Sequence, residues 1–371
     1  MRQPQLSRRR WAALTLGLLA LCLALIVGAV TLIDPFEVYH QATAFIPPIT
    51  NGTQSYSNAG IAKSYAYDSV VIGSSMTENF LPSRLDGLLG GSFVKLCVNG
   101  GSPYNHRQML EMAFGTHALR RVLYCIDADA LTYFYTQPKF EMPDYLYDFN
   151  PLNDVRYWFN SSVLLHYIPS CLKTLGKTDP ALRDTMYCWG DLYPYGAAYA
   201  LKGAKFDGET FDQKKTPEPF VMAQQTMLNI EHNYVPFIEA HPETEFIFFF
   251  PPYSLVRWYA FYRARTLDYH LSQAEAVASR LLQSPNVSVY DFRARTDWIL
   301  DLDNYIDDYH YGPWINEAIA EDIAAGRCRI EQAQAVRDNS GVIRALNAQI
   351  IAQGRWPDSF ELPAASEIPS P

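Results

Sequence analysis

Apolar residues in this chain gather in two kinds of run, one long and several short. The long one is Trp11–Ile33, 23 residues without a charge. About 20 apolar residues span a bilayer as a helix, so this run predicts a transmembrane segment. The short ones are Ser69–Gly73, Phe93–Val98, Arg121–Ile126, Glu245–Phe250 and Val287–Asp291. Runs this short and continuously apolar suit strands buried on both faces. Between them, Asn105–Thr116, Met222–Ala240 and Ser272–Gln283 have helical length and composition. Strand–helix alternation predicts an α/β fold, a three-layer α/β/α sandwich around a five-stranded parallel sheet. In such sheets ligands bind at the carboxyl ends of the strands.

The same pattern divides the chain. Residues 1–34 read as a cytoplasmic arginine cluster followed by a membrane anchor, and 35–67 as a linker. Residues 68–328 read as the α/β domain and 329–371 as a C-terminal helix with a disordered tail from about Gly354. An insertion at 131–219 interrupts the domain and is dense in aromatics, among them Tyr133, Tyr145, Tyr157, Trp158, Trp189 and Tyr193. It reads either as a subdomain packing its own core or as a platform for a ligand.

Charge sharpens the first boundary. Arg8, Arg9 and Arg10 precede the long run and Asp34-Pro35 ends it. The positive-inside bias then predicts a single-pass membrane protein with everything after residue 34 outside the cytoplasm. A cleaved signal peptide is the rival, but its apolar region is usually ~7–15 residues and ends in a small-x-small site. The whole chain has 30 basic and 39 acidic residues, and residues 1–33 hold four arginines and no acid. The remainder is therefore more acidic than the net −9, which argues against a nucleic-acid partner. Six cysteines show no CxxC and no metal-ligand spacing; Cys171 and Cys188 could pair in an oxidising compartment. No HExxH, calcium loop, GxxxxGK or GxGxxG is present, so the sequence implies neither a metal nor an organic cofactor.

Chemistry gathers where the strands end. After the first comes Gly73-Ser74-Ser75, followed by Met76-Thr77-Glu78. A buried strand ending in Gly-x-Ser exposes a hydroxyl on a tight turn, and the serine's own N–H can face an oxyanion. The bland alternative makes Ser75 a helix cap. Beyond the fifth strand lies Asp307-Asp308-Tyr309-His310. A serine hydroxyl needs an imidazole to take its proton, and a carboxylate on the other ring nitrogen fixes the tautomer. His310 and Asp307 can fill those roles; a solvated acidic turn is the alternative. His106 is a less favoured base, because no acid stands at fixed spacing beside it.

Gly73–Glu78 resembles the GDS-x-T-E signature of the SGNH (GDSL-type) hydrolase superfamily, with Ser74 where Asp is usual. Asp307-x-x-His310 resembles the same family's base motif. The resemblance implies the flavodoxin-like SGNH fold and a Ser75, His310, Asp307 catalytic set. It implies oxyanion donors from the N–H of Ser75 and of Gly100 or Gly101, which follow the second strand. After the third strand the family has Gly-x-Asn-Asp, and this chain has Asp127-Ala128-Asp129. Asp129 then stands where an amide should donate, and an ionised carboxylate cannot. Either Asn79 or Asn99 substitutes, or Asp129 is protonated, or catalysis is weak.

With its anchor, the chain looks like membrane-tethered relatives that handle acyl groups on cell-wall or exopolysaccharide polymers. That likeness implies an extracytoplasmic serine esterase or O-acyltransferase acting on ester-linked acyl groups, acetyl above all. Its substrate would be a cell-surface glycan or cell-wall polymer, and its partner a membrane acyltransferase. The alternative is a non-catalytic binding or assembly protein that keeps the fold.

Overall fold

A computed structural model describes residues 8–206 and 218–362. The chain forms two compact units. One takes the chain up to Tyr65 together with Pro143–Pro180; the other takes Ala66–Met142 and the chain from Ala181 onward.

The first unit begins with helix α1 (Arg8–Ile33), the one described helix long and apolar enough to cross a membrane. Along it only Val30 is buried. The chain then turns at Asp34 and Glu37, whose φ angles of 45° and 57° lie in the left-handed region. Side-chain hydrogen bonds hold this turn. Asp34 accepts from the N–H groups of Tyr39 (2.6 Å) and His40 (3.1 Å) and from the Tyr157 hydroxyl (3.0 Å). Glu37 accepts from Ala42 N–H and the Tyr65 hydroxyl, both at 2.7 Å. Helix α2 (Gln54–Ser64) lies against the turn so closely that a β-carbon on Gly60 would stand 1.8 Å from the Phe36 carbonyl oxygen. The expected linker, 35–67, is therefore folded. Its Phe36, Val38 and Ala59 share a core with Tyr145, Leu146, Tyr157, Val163 and Ile168. Within 143–180, Tyr145 and Tyr157 serve that core, and Tyr147, Trp158 and Tyr167 pack against it.

The second unit holds the sheet: β1 (Ser69–Gly73), β2 (Phe93–Cys97), β3 (Arg121–Cys125), β4 (Glu245–Phe250), β5 (Val287–Asp291) and β6 (Arg329–Ile330). The order is β2-β1-β3-β4-β5-β6. The first five are parallel, in the flavodoxin-like order, and their bounds match the five short apolar runs to within a residue. The sixth is antiparallel and was not expected; two residues are too few for a hydrophobic pattern to register. Every residue of β1 and β2 is buried. Successive side chains point to opposite faces, so both faces of these strands are covered.

The longer helices of this unit are α3 (Pro103–Thr116), α4 (Pro219–Asn229), α5 (Leu255–Arg263), α6 (Leu267–Leu281), α7 (Pro313–Ala324) and α8 (Ala333–Gln353). The expected helix 222–240 is α4 continued through a π turn, Ile230–Tyr234, into Val235–Ala240. Helix α8 ends at Gly354, in the left-handed conformation that closes helices. The tail expected as disordered lies outside the described residues from 363 onward. All six cysteines are free thiols, so Cys171 and Cys188 are not joined.

Candidate active site

The turn that carries Ser75 is set by its neighbours. A β-carbon on Gly73 would meet the Thr77 side chain at 2.7 Å, so glycine lets the turn close. The short 3₁₀ turn Ser75–Thr77 follows, and it is Ser74, not Ser75, that caps it, accepting from Met76 N–H at 3.5 Å. Ser74 Oγ also donates to Asp127 Oδ2 at 2.8 Å. The capping alternative therefore falls to Ser74, and Ser75 keeps its hydroxyl for another partner.

That partner comes from the loop between β5 and α7. A bridge between Tyr305 and Tyr311 closes the loop, and Tyr305 donates to the Pro252 carbonyl at 2.7 Å. Tyr311 of this loop and Asn316 of α7 both donate to the Met76 carbonyl, at 3.2 and 2.8 Å, which ties them to the turn that carries Ser75. Within it Asp307 Oδ1 accepts from the N–H groups of Tyr309 (2.8 Å) and His310 (2.6 Å). Asp307 Oδ2 lies 2.8 Å from His310 Nδ1, and His310 Nε2 lies 2.9 Å from Ser75 Oγ. A carboxylate only accepts, so Nδ1 carries the proton and Nε2 is left to accept from Ser75. Burial alone would raise the Asp307 carboxyl. The hydrogen bond from the His310 ring and its electrostatic pull, with the two backbone N–H groups, outweigh it and hold Asp307 below its ordinary value. Trp189 completes the wall: its indole N–H donates to the Ser75 carbonyl at 3.1 Å and its ring meets His310 edge-on at 5.5 Å.

For an oxyanion, the two glycines after β2 separate. Gly101 N–H donates to the Val98 carbonyl at 2.8 Å and is spoken for. Gly100 N–H and Ser75 N–H have no acceptor among the described residues. Gly100 sits at φ 60°, and a β-carbon there would lie 3.3 Å from the Lys139 ammonium. The β1–β2 register places Gly73 opposite Cys97, so both N–H groups belong to adjacent strand ends. Gly100 is the member of the pair with a donor to give.

The third expected donor position differs from both substitutes considered. Asp129 is ion-paired with Arg257, which also faces Asp308 at 3.5 Å. Burial pushes the Asp129 carboxyl up against the pull of Arg257. Asn79 spends its Oδ1 on the N–H groups of Trp189 (2.9 Å) and Gly190 (3.0 Å), tethering the Trp189 segment. Asn99 is exposed on the turn after β2. The arrangement therefore offers two backbone donors and a carboxylate where the resemblance implies an amide, while Asn79 keeps a buried Nδ2 without a partner.

Sequence reasoning missed Asp127. Its Oδ1 accepts from Tyr253 (3.1 Å), from Tyr309, and from the N–H groups of Asp129 (3.1 Å) and Ala130 (3.4 Å), while Oδ2 takes Ser74. One carboxylate thus joins the neighbour of Ser75 to the neighbour of His310. The available signal was reciprocal: Ser74 stands where the resemblance implies an Asp, and an Asp appears after β3 to receive its hydroxyl.

His106 is not on Ser75. It lies buried on α3, where Nδ1 bonds the Tyr124 hydroxyl, which in turn donates to Tyr234 at 2.6 Å. Burial drives its pKa down to about 4, against the pull of Asp127 and the Gly73 carbonyl. An unfolded imidazole takes its proton near 6.5. As pH falls from 6.5 towards 4, the unfolded chain binds a proton that the folded one refuses, and stability drops, by about 3 kcal/mol from this group. The check is direct: in the ring signals of histidine-labelled protein, His106 should stay neutral until about pH 4. Titration near 6.5 would contradict the burial.

No protein-family model matches the chain, and no curated protein matches it. Among solved structures, the chain is similar to one from Streptococcus pneumonia, provisionally named as a platelet activating factor. The likeness has a TM-score of 0.38 and 12% identity, and covers 74% of this chain and 91% of that one. The functional reading therefore rests on the geometry of the site itself.

Proposed function

We propose that this protein is an SGNH-type serine esterase or O-acyltransferase. It acts on ester-linked acyl groups, acetyl above all, of a cell-surface polysaccharide or cell-wall polymer. The observation that carries this reading is the unbroken chain Ser75 Oγ, His310 Nε2, His310 Nδ1, Asp307 Oδ2, at 2.9 and 2.8 Å. In the proposed reaction Ser75 Oγ attacks the acyl carbonyl carbon as its proton passes to His310 Nε2. Asp307 holds the resulting imidazolium. The N–H groups of Ser75 and Gly100 receive the oxyanion. His310 returns the proton to the departing sugar oxygen, leaving an acyl-serine. Water then gives hydrolysis, or a second hydroxyl gives transfer. Helix α1 would serve as a signal-anchor with the site outside the cytoplasm, and a membrane acyltransferase is the expected partner.

One observation favours a second reading. With Asp129 committed to Arg257, a carboxylate stands where the resemblance implies the third oxyanion donor, as in a protein that binds or assembles polymer without turnover. An alkyl fluorophosphonate separates the two. The enzyme should be labelled at Ser75, located by peptide mass, and labelling should vanish in His310→Ala. Absence of labelling in the wild type would favour the binding protein.

A further inference from the structure

The end of α1 is built into the core of the first unit rather than standing free of it. Val30 is buried there with Phe36, Tyr157, Val163 and Ile168, and Ile33 packs against the same core. The short helices Val155–Trp158 and Ile168–Lys173 lie against α1. Val30 stands about 28 Å beyond Trp11, at about 1.5 Å of rise per residue. The hydrocarbon of a bilayer is about 30 Å thick. A helix that enters the membrane at Trp11 therefore leaves it near Val30, and the residues that bury Val30 stand at that same level.

We infer that this unit is seated in the membrane surface, with the outer side of 159–177 against lipid. The inference deepens the signal-anchor reading of α1 and rests on it for its depth. Its chemistry rests on the exposed face alone.

That face has the composition a lipid surface takes. Residues 161–173 form one helical stretch that passes through a π turn at Val163–Tyr167. Val163, Ile168 and Cys171 are its buried side. Leu165, Pro169 and Leu172 follow at spacings of four and three, which sets them on one outer stripe. Leu165 and Leu172 are 69% and 52% exposed, and Leu175, in the turn beyond, is 63% exposed. Single exposed leucines are ordinary, but a stripe of them continuous with a membrane helix is not. From 155 to 178 the chain carries no acid, although the net charge of the protein is −9. Lys173 and Lys177 are exposed beside Leu172 and Leu175. An apolar stripe with basic flanks is how a helix rests in the plane of anionic headgroups. Trp158, whose indole N–H donates to the Tyr39 hydroxyl at 2.9 Å, adds the aromatic pair that collects at membrane interfaces.

The test uses the full chain in lipid nanodiscs, with p-benzoylphenylalanine in place of Leu25, Leu165 or Leu172, one at a time. Irradiation joins the probe to its neighbour, and intact mass tells lipid from protein. All three sites are exposed, so the fold should accept the probe, and two of them read the face independently. Leu25 lies on α1 and reports the anchor. Leu165 and Leu172 should give lipid adducts within about threefold of the yield at Leu25. In phosphatidylglycerol discs, Lys173→Gln with Lys177→Gln should lower the yield at Leu172 about twofold or more, and in phosphatidylcholine discs it should not. Lipid adducts at Leu25 alone would overturn the inference and keep the anchor. Adducts of twice the protein mass at Leu165 or Leu172 would make the face a contact between copies of this chain, and would overturn it too. Lipid adducts at Leu165 and Leu172 with none at Leu25 would keep the surface and remove the anchor. A yield indifferent to the lysines in both lipids would overturn their part in it.

Discussion

Ser75→Ala is expected to lower turnover of p-nitrophenyl acetate by about 10⁴-fold or more, which is what loss of a triad nucleophile costs elsewhere. The side chain is small and its one polar partner is His310 Nε2, so the fold should survive the change. Ser74 remains in place to cap the turn. Kinetics on the purified full chain, with circular dichroism to confirm folding, measure both. A drop of only a few-fold would move the chemistry away from this serine. Residual activity close to that of wild type would also remove the reason for His310 to face it.

The second large effect belongs to Asp127, which neither sugar nor acyl group need touch. Removing its carboxylate in Asp127→Ala takes away the acceptor shared by Ser74, Tyr253 and Tyr309, leaving the two tyrosine hydroxyls to face each other at 3.3 Å. Unpaired buried hydroxyls cost about 1–3 kcal/mol each, and the turn would shift to satisfy them. A displacement of about 1 Å between nucleophile and base can cost about 10² in rate. The expected result is therefore a kcat about 100-fold lower with KM little changed. Asp127→Asn keeps one acceptor oxygen and should recover part of the loss. If Asp127→Ala lowers activity only through unfolding, Asp127→Asn should restore kcat fully once folded, and the positioning role would be lost.

The strands were legible because burial on both faces writes a continuous apolar word, and five such words stand at the positions of β1 to β5. The pairing of Ser75, His310 and Asp307 was legible for a related reason. Fixed spacing within one loop, Asp307 to His310, and fixed position after a strand, Ser75, are local properties that survive in one dimension. What stayed hidden was partnership across the chain. Asp129 looked like a defect in an oxyanion hole because its partner, Arg257, lies 128 positions away and no spacing announces it. Asp127 was passed over for the same reason, since its donors come from β1's turn, from the segment after β4 and from the base's loop. The stretch 35–67 read as a linker because its order comes from Tyr145, Tyr157 and their neighbours, far along the chain. Its own composition is polar and proline-bearing, which is what a linker looks like.

The long crossover between β3 and β4 also has a consequence for how the molecule comes to be folded. The two strands pair directly, yet the chain leaves β3 at Cys125 and rejoins at Glu245. Closing so long a loop is cheap at equilibrium: being about tenfold longer than a minimal crossover costs only about 2 kcal/mol. In time it is expensive, because a sheet whose central pair is distant in sequence must wait for that encounter. Part of the crossover, Pro143–Pro180, builds the other unit with the residues that follow α1. Neither unit can therefore be completed from the first 140 or so residues to leave the ribosome. Helix α1 is made first, and β3 has no β4 to pair with until Glu245 arrives. A truncation before β4 should therefore yield an aggregating fragment rather than a smaller domain.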